Sequence, residues 1–354
     1  MSDSTSESIS SQLSTSLSAM VLLNSSCQSV VETSISQHPN TGKWYDDVQS
    51  GLDAVQRLVR DWRLSGNLYF NQALLDAVTN TATVFVQAKK QADQYFDQLS
   101  SGFDTTIQNN LISVVNGTLS SVNAFEQISQ EYNANLNDWA RRVEEAQQRL
   151  NHIVSEIQAQ ESKLQADIAL ANQQIADMEK QIKADREAIN KAKSEENKGI
   201  FETVFGVVFA PFTGGLSLIL AGVGVSSIVE AEQAVSHLQD TIKKSHKNIT
   251  TDQAELSDDQ KQVVSLKALL LSVGTVVNDG TYITTALEAL QTTVSSIKQE
   301  ADSVIDKLSQ AKTADQLIME KVWFDAALEE WQAIFETAET LSQASPSISR
   351  VTIG

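Results

Sequence analysis

The chain has 354 residues and carries 26 lysines and arginines against 45 aspartates and glutamates, which gives a formal net charge of −19. So acidic a composition argues against nucleic acid as a partner, because binding phosphates along a strand needs a cationic face. The single cysteine, Cys27, excludes an intramolecular disulfide framework and cysteine-rich metal sites. No proline lies between Pro39 and Pro211, and such long proline-free stretches are typical of long helices.

The first half of the chain is predicted to form amphipathic helices. Residues 1–38 are rich in serine, but their apolar residues recur at three- and four-residue steps and indicate a helix. After a break at His38–Gly42, a second helix is predicted over 43–100, in which Leu64–Asn67 could introduce a kink, and the pattern continues over 103–131. The N-terminus has no cationic leader before an apolar run, so no conventional signal peptide is predicted and export would need another route.

Two long runs of seven-residue spacing follow and indicate coiled-coil packing. The first run lies within residues 132–198 and comprises Leu136, Val143, Leu150, Ile157, Leu164, Ala171 and Met178. The second run comprises Ile228, Val235, Ile242, Ile249, Leu256, Val263, Leu270 and Val277. We expect these two arms to form a long antiparallel hairpin.

Two shorter helices, 280–311 and 314–343, are predicted to complete the chain before a tail, Ala344–Gly354. The fold class is therefore all-α: an elongated bundle of about five long helices with a hydrophobic head at the tip of a central coiled-coil hairpin. The predicted domains are a membrane-inserting head and one helical tail bundle: residues 199–229, and residues 1–198 together with 230–354.

The segment between the two heptad runs is apolar and uncharged from Thr203 to Val229. Its middle, "PFTGG", combines a proline with two glycines, so we predict a hairpin whose head turn contains Pro211, Gly214 and Gly215. Neither arm reaches the roughly 20 unbroken apolar residues of a transmembrane helix. Two short helices within one leaflet, a full crossing by extended helices and a β-hairpin closed within a barrel all stay open.

The apolar residues of this segment are the candidate membrane-inserting residues, because little other chain is available to cover them at the tip of the hairpin. They are Phe201, Val204, Phe205, Val207, Val208, Phe209, Phe212, Leu216, Leu218, Ile219, Leu220, Val223, Val225 and Ile228. Lysines concentrate on both flanks of the segment, where lipid headgroups would lie: Lys191, Lys193, Lys198, Lys243 and Lys244. The alternative is that the hairpin plugs the end of the bundle and that the lysines pair with neighbouring acidic residues.

An apolar surface of this size would promote aggregation if it were permanently exposed. We therefore expect a soluble form that covers the hairpin and a second form that releases it to lipid.

No pattern of catalytic chemistry accompanies these features. The four histidines are scattered, no phosphate-binding loop or nucleophile elbow occurs, and Cys27 lies on an apolar stripe. An enzyme is not predicted, and neither is a cofactor or a metal.

Long helices whose central coiled-coil hairpin is interrupted by one hydrophobic head resemble the cytolysin A superfamily of α-helical pore-forming toxins. That superfamily includes the haemolysin BL and non-haemolytic enterotoxin components and the tripartite toxins of Gram-negative bacteria. The match covers the whole chain as architecture and is most specific over residues 132–280. The wholly apolar head is most similar to the B-type component of the tripartite systems, which contributes the hydrophobic anchor.

The resemblance implies a secreted soluble monomer that releases its head, inserts into the bilayer of a target cell and forms a homo- or hetero-oligomer. Because the head lacks the polar alternation of a pore-lining segment, homologous toxin components are the implied partners. The main rival is a coiled-coil scaffold or secretion-apparatus protein with a buried apolar tip. A weaker rival is an insecticidal or antibacterial toxin of the same fold.

Overall fold

The computed structural model of the chain describes residues 26–33, 44–66, 73–160, 204–212, 215–223, 258–343 and 346–353, with a few single positions before residue 26 and Lys180. Residues 26–32 are helical. The longer helices are α1 (Trp44–Asp61), α2 (Leu75–Ser101), α3 (Thr105–Gln160), α4 (Asp258–Gln310) and α5 (Ala314–Gln343), with a π-helical turn at Trp62–Gly66. The strands are β1 (Val204–Phe212), β2 (Gly215–Val223) and β3 (Pro346–Ile353).

The serine-rich N-terminal segment packs as an amphipathic helix where the structure describes it. Met20, Leu23, Cys27 and Val30 are buried, as the three- and four-residue spacing predicts. The side-chain amide of Gln56 in α1 donates to the carbonyls of Val30 (3.1 Å) and Thr33 (2.8 Å). These carbonyls lie at a helix end, where intrahelical donors run out, and the Val30 carbonyl also accepts from the backbone N–H of Thr33 at 3.2 Å.

The predicted helix over 43–100 is interrupted near the expected kink. Its first part, α1, buries Val48, Leu52, Val55 and Val59, and Trp62–Gly66 then wind as a π-helical turn. Single π-helical turns bend a helix by inserting a residue into its hydrogen-bond ladder. The second part of the predicted helix begins again at Leu75 as α2.

Of the first heptad run, Leu164, Ala171 and Met178 lie outside the described residues. Leu136, Val143 and Leu150 are confirmed as buried residues of α3, a single helix of 56 residues. Its buried residues alternate at steps of three and four: Gln108, Leu111, Val115, Thr118, Val122, Phe125, Ser129, Tyr132, Leu136, Trp139, Val143, Ala146 and Leu150. The carboxylate of Asp104 accepts hydrogen bonds from the backbone N–H groups of Ile107 (3.2 Å) and Thr106 (2.6 Å). These bonds cap the start of the helix and lower the pKa of Asp104.

From Asp258 onward, the second heptad arm and the predicted helix 280–311 are one continuous helix, α4, of 53 residues. Its buried stripe runs through Val273, Val276, Ile283, Leu287, Leu290, Val294, Ile297, Ala301, Val304 and Leu308. Leu270 and Val277, which the predicted stripe contained, are only half-buried. Fully buried residues of a packed helix recur at alternating steps of three and four. Residues seven apart can also lie beside that buried stripe, and the predicted residues of α4 do so. The members of the run from Ile228 to Leu256 lie outside the described residues.

The chain divides into two compact units. The first contains residues 1–17, 68–136 and 283–343. Its core is built by four helices, with Phe96 of α2, Leu111 of α3, Leu308 of α4 and Phe324 of α5 in one buried cluster. The side-chain amide of Gln108 donates to the carbonyl of Ala311 at 2.9 Å. It thereby supplies a hydrogen-bond donor to a backbone carbonyl just after the end of α4.

The second unit contains residues 18–67, 137–282 and 344–354. Here α1 and α3 pack closely: a Cβ atom added to Gly51 would lie only 2.5 Å from the side chain of Leu150. Trp62 stacks on Trp139 with ring centroids 4.7 Å apart, and the Trp139 indole N–H donates to the Leu58 carbonyl at 2.8 Å. These contacts fix the position of α1 along α3.

The predicted helical bundle is confirmed, and the structure adds one element to it. Residues 346–353, within the segment predicted as a tail, form strand β3. The prediction of a tail missed this strand, although Ile348, Val351 and Ile353 are β-branched and favour extended structure. The domain limits at 199–229 remain a prediction.

Candidate functional site

The apolar segment folds as an antiparallel β-hairpin of two nine-residue strands. The register runs from Val204 opposite Val223 to Phe212 opposite Gly215, which leaves two residues to join the strands. Valine, isoleucine and phenylalanine are frequent in both strands, and these residue types favour extended structure. Of the conformations that the sequence allows, the described residues therefore adopt the β-hairpin.

Strand β3 from the C-terminus pairs antiparallel with the free edge of β2, so the strand order is β1-β2-β3. Its first residue, Pro346, pairs with Val223, and Ile353 pairs with Leu216. Proline is tolerated at the first position of an edge strand because no ladder hydrogen bond is lost there. Within this sheet, β3 pairs with eight of the nine residues of β2, from Leu216 to Val223.

The hairpin carries no charge, whereas β3 carries one. The strands β1 and β2 consist of apolar residues and glycine apart from Ser217, and apolar residues occupy both sets of alternating positions. Arg350 of β3 is the one charged residue of the three described strands, and it pairs with Ile219 at the middle of β2. A sheet with one wet face would alternate apolar and polar residues, and this hairpin does not.

The predicted membrane-inserting residues fall largely within these strands. Those in β1 are Val204, Phe205, Val207, Val208, Phe209 and Phe212, and those in β2 are Leu216, Leu218, Ile219, Leu220 and Val223. Phe201, Val225 and Ile228 lie outside the described residues.

The residues predicted for the head turn are placed differently. Pro211 lies in β1 and Gly215 begins β2, so these two belong to the strands. Gly214 lies outside the described residues, as do all the lysines predicted to face headgroups: Lys191, Lys193, Lys198, Lys243 and Lys244. None of the helices in the described part of the chain combines the length and the apolar character needed to cross a bilayer.

The buried cysteine does not offer a nucleophile. Cys27 is fully buried, and burial, followed by the nearby charge of Asp279, raises the pKa of its thiol far above the ordinary value. The thiolate is the reactive species, so this thiol is inert. Ser26 beside it donates to the Asp279 carboxylate, a contact between the N-terminal helical residues and α4.

No protein-family model and no curated protein matches the chain, but solved structures match nearly all of it. The soluble AhlB of the tripartite alpha-pore forming toxin AHL from Aeromonas hydrophila matches with a TM-score of 0.69 at 14% identity, over 94% of this chain and 92% of its own. Soluble SmhA of the tripartite toxin Smh from Serratia marcescens gives 0.68 at 14% identity, over 95% and 93%.

Motility Associated Killing Factor B from Vibrio cholerae matches with a TM-score of 0.70 at 12% identity, over 96% of this chain and 92% of its own. At such identities the likeness establishes the fold. The chain has the fold of soluble components of α-pore-forming toxins, and the resemblance predicted from the sequence is confirmed at that level.

Proposed function

We propose that the chain is a secreted component of a multi-subunit pore-forming toxin and that the hairpin β1–β2 is its membrane anchor. The observation that carries the proposal is a charge-free apolar hairpin within the fold of soluble tripartite-toxin components. Apolar residues at both sets of alternating positions suit a segment surrounded by lipid and protein, and do not suit one wall of a water-filled pore. Partner components would supply the polar lining.

The length of the hairpin supports a membrane role. Each strand has nine residues, which at about 3.3 Å per residue extends about 30 Å. The hydrocarbon core of a bilayer is about as thick. An isolated hairpin would leave unpaired backbone groups at its edges within lipid, so insertion requires either neighbouring strands from other subunits or conversion of the hairpin to helix.

The proposed inserted residues are the apolar residues of the segment, with Ile219 at the centre of β2. The flanking lysines, Lys191, Lys193, Lys198, Lys243 and Lys244, are proposed to meet the headgroups. In the soluble form β3 occupies one edge of the hairpin. Entry into lipid would therefore require β2 to leave β3, which carries the charge of Arg350 and several hydroxyl side chains.

The test is flotation of the purified protein with liposomes. Ile219→Asp places a carboxylate in the middle of the inserted segment, where a charge costs at least about 2.5 kcal/mol, and we expect it to abolish co-flotation. The matched control is Val322→Asp, the same kind of change at an apolar residue of α5 that is 64% exposed. The control is expected to float as well as the native protein.

Flotation of Ile219→Asp at the native level would show that the hairpin is not the anchor. If the native protein floats neither alone nor with its partner components, the scaffold alternative gains support. Circular dichroism of both variants establishes that the helices are intact before either result is interpreted.

A further inference from the structure

The arginines of this acidic chain are concentrated at one place in the second unit. The chain has eight arginines, and six of them lie in two short stretches, 57–63 and 141–149. The first stretch ends α1 and enters the π-helical turn, and the second lies on α3. Because α1 packs against α3 through Gly51, Leu58 and Trp139, the two stretches are neighbours.

Three of these arginines have partners within the protein. Arg60 donates to the side-chain oxygen of Gln56 at 3.1 Å, and Arg63 donates to that of Gln28. Arg141 forms ion pairs with Asp138 at 2.7 Å and with Glu145 at 2.5 Å. Each of these three arginines thus has at least one side-chain partner in its own surroundings.

The other three arginines line a groove between α1 and α3. The groove has a volume of about 360 Å³, and Arg57, Arg142 and Arg149 line it over a floor of alanine and leucine side chains. All three are exposed. None of them forms an ion pair with another described residue, and Arg57 donates only through Nε to the backbone carbonyl of Asp53, at 3.3 Å.

The spacing of these arginines suits one ligand with several acceptor oxygens. Arg142 and Arg149 are seven residues apart on α3, about 10.5 Å along the axis and on the same face, and Arg57 faces them from α1. A carboxylate offers two oxygens with about four acceptor sites, whereas a terminal phosphate group offers three oxygens and up to two negative charges, so it can accept from several guanidinium groups at once.

The groove also contains two carboxylates, which offset part of its positive charge. Asp61 and Glu145 line it beside the three arginines, and Glu145 is already paired with Arg141. Three guanidinium groups against two carboxylates leave the groove net positive, so it attracts an anion, and the gain grows with the charge of the anion.

We propose that this groove is a binding site for a phosphate monoester or diphosphate group, carried either by a soluble ligand or by a lipid headgroup. The site lies outside the apolar hairpin, and its existence does not depend on membrane insertion. Three arginines without ion pairs lie together on one concave surface of a chain whose net charge is −19. This is the observation that assigns the site.

The test is calorimetric titration of the full chain with pyrophosphate at low ionic strength. We expect one saturable site in the native protein and a roughly tenfold loss of affinity for each groove arginine replaced, in Arg57→Gln, Arg142→Gln and Arg149→Gln. The matched control is Arg60→Gln, which removes the same charge three residues from Arg57 on the same helix but outside the groove. It should leave the affinity unchanged.

Two further variants test the role of the carboxylates. Glu145→Gln should tighten pyrophosphate binding. Arg141→Gln should weaken it, although Arg141 does not line the groove, because Glu145 then loses its partner. A merely diffuse electrostatic effect would make Arg141→Gln and Arg60→Gln equal, and that equality would count against a built site.

Vesicles distinguish the source of the phosphate group. In an Ile219→Asp background, so that the hairpin does not contribute, attachment to phosphatidic acid vesicles that is lost in Arg142→Gln with Arg149→Gln identifies a lipid headgroup. Pyrophosphate binding without such attachment identifies a soluble ligand.

The proposal is overturned if the native protein does not bind pyrophosphate, or if Arg60→Gln loses as much affinity as Arg57→Gln. It is also overturned if the groove variants abolish only self-association of the chain at low salt. That last result would make the groove a contact for carboxylates of a second copy.

Discussion

At the scale of single residues, Trp331 shows how the first unit is held together. It is the largest of the completely buried side chains in the described part of the chain. Its ring stacks on Phe85 at a centroid distance of 5.2 Å and meets Phe125 edge-on at 6.5 Å. The indole N–H is buried without a hydrogen-bond partner, which costs free energy that the packing of the ring must offset.

We predict that Trp331→Ala lowers the free energy of unfolding by about 3–5 kcal/mol, since it removes a large buried ring. Trp331→Phe keeps an aromatic ring and removes the unpaired N–H, so we expect it to stay within about 1.5 kcal/mol of the native protein. Urea denaturation followed by circular dichroism measures both. An equal loss in the two variants would contradict this prediction, because the aromatic ring of Trp331→Phe would then have recovered none of the packing.

At the scale of elements, the proposed membrane insertion makes the pairing of β2 with β3 the contact that has to open. The strands pair over eight residues, and the pairing includes Leu220 with Ser349 and Ala221 with Ile348. Adjacent pairs in an antiparallel ladder alternate between the wide and the close kind, with Cα atoms about 5.5 and 4.5 Å apart. Both distances lie within the range of disulfides.

We predict that a disulfide across either pair, in Leu220→Cys with Ser349→Cys or Ala221→Cys with Ile348→Cys, blocks liposome attachment until it is reduced. The reason is that insertion would require β2 to separate from β3. Flotation with and without reductant measures the effect, and each single-cysteine variant is the control. Cys27 does not interfere, because it is buried and its thiol is inert. Flotation of the oxidised proteins at the native level would mean that β3 enters the membrane with the hairpin or plays no part.

An element could be predicted from the sequence where its interactions are between residues close together in the chain. The helices of the bundle follow from local periodicity, so α3 and α5 agree with the predicted patterns, and α5 even in its bounds, 314–343. The hairpin itself was one of the options that "PFTGG" allows. The pairing of Ile219 with Arg350 joins residues far apart in the chain, and no periodicity or turn signal records such a pairing.

At the scale of the whole molecule, the sequence combines two demands that a single conformation does not meet. An acidic chain with net charge −19 remains in water, while an uncharged hairpin of two nine-residue strands favours lipid. We propose that a form that pairs the hairpin with β3, and a second form that transfers it to the bilayer, together satisfy both. Lipid would bind only the second form and so shift the equilibrium toward it.

The most direct test of membrane insertion measures how deeply residue 209, near the middle of β1, lies in the bilayer when liposomes are present. Phe209→Cys would carry an environment-sensitive fluorophore, and the lipids would carry nitroxide quenchers on their acyl chains. The control is the same label at Ser120→Cys, an exposed position of α3.

The account predicts a blue shift and strong quenching at residue 209 once the protein attaches, and neither change at residue 120. Attachment to the liposomes without quenching at residue 209 would contradict it, because the hairpin would then have stayed out of the hydrocarbon.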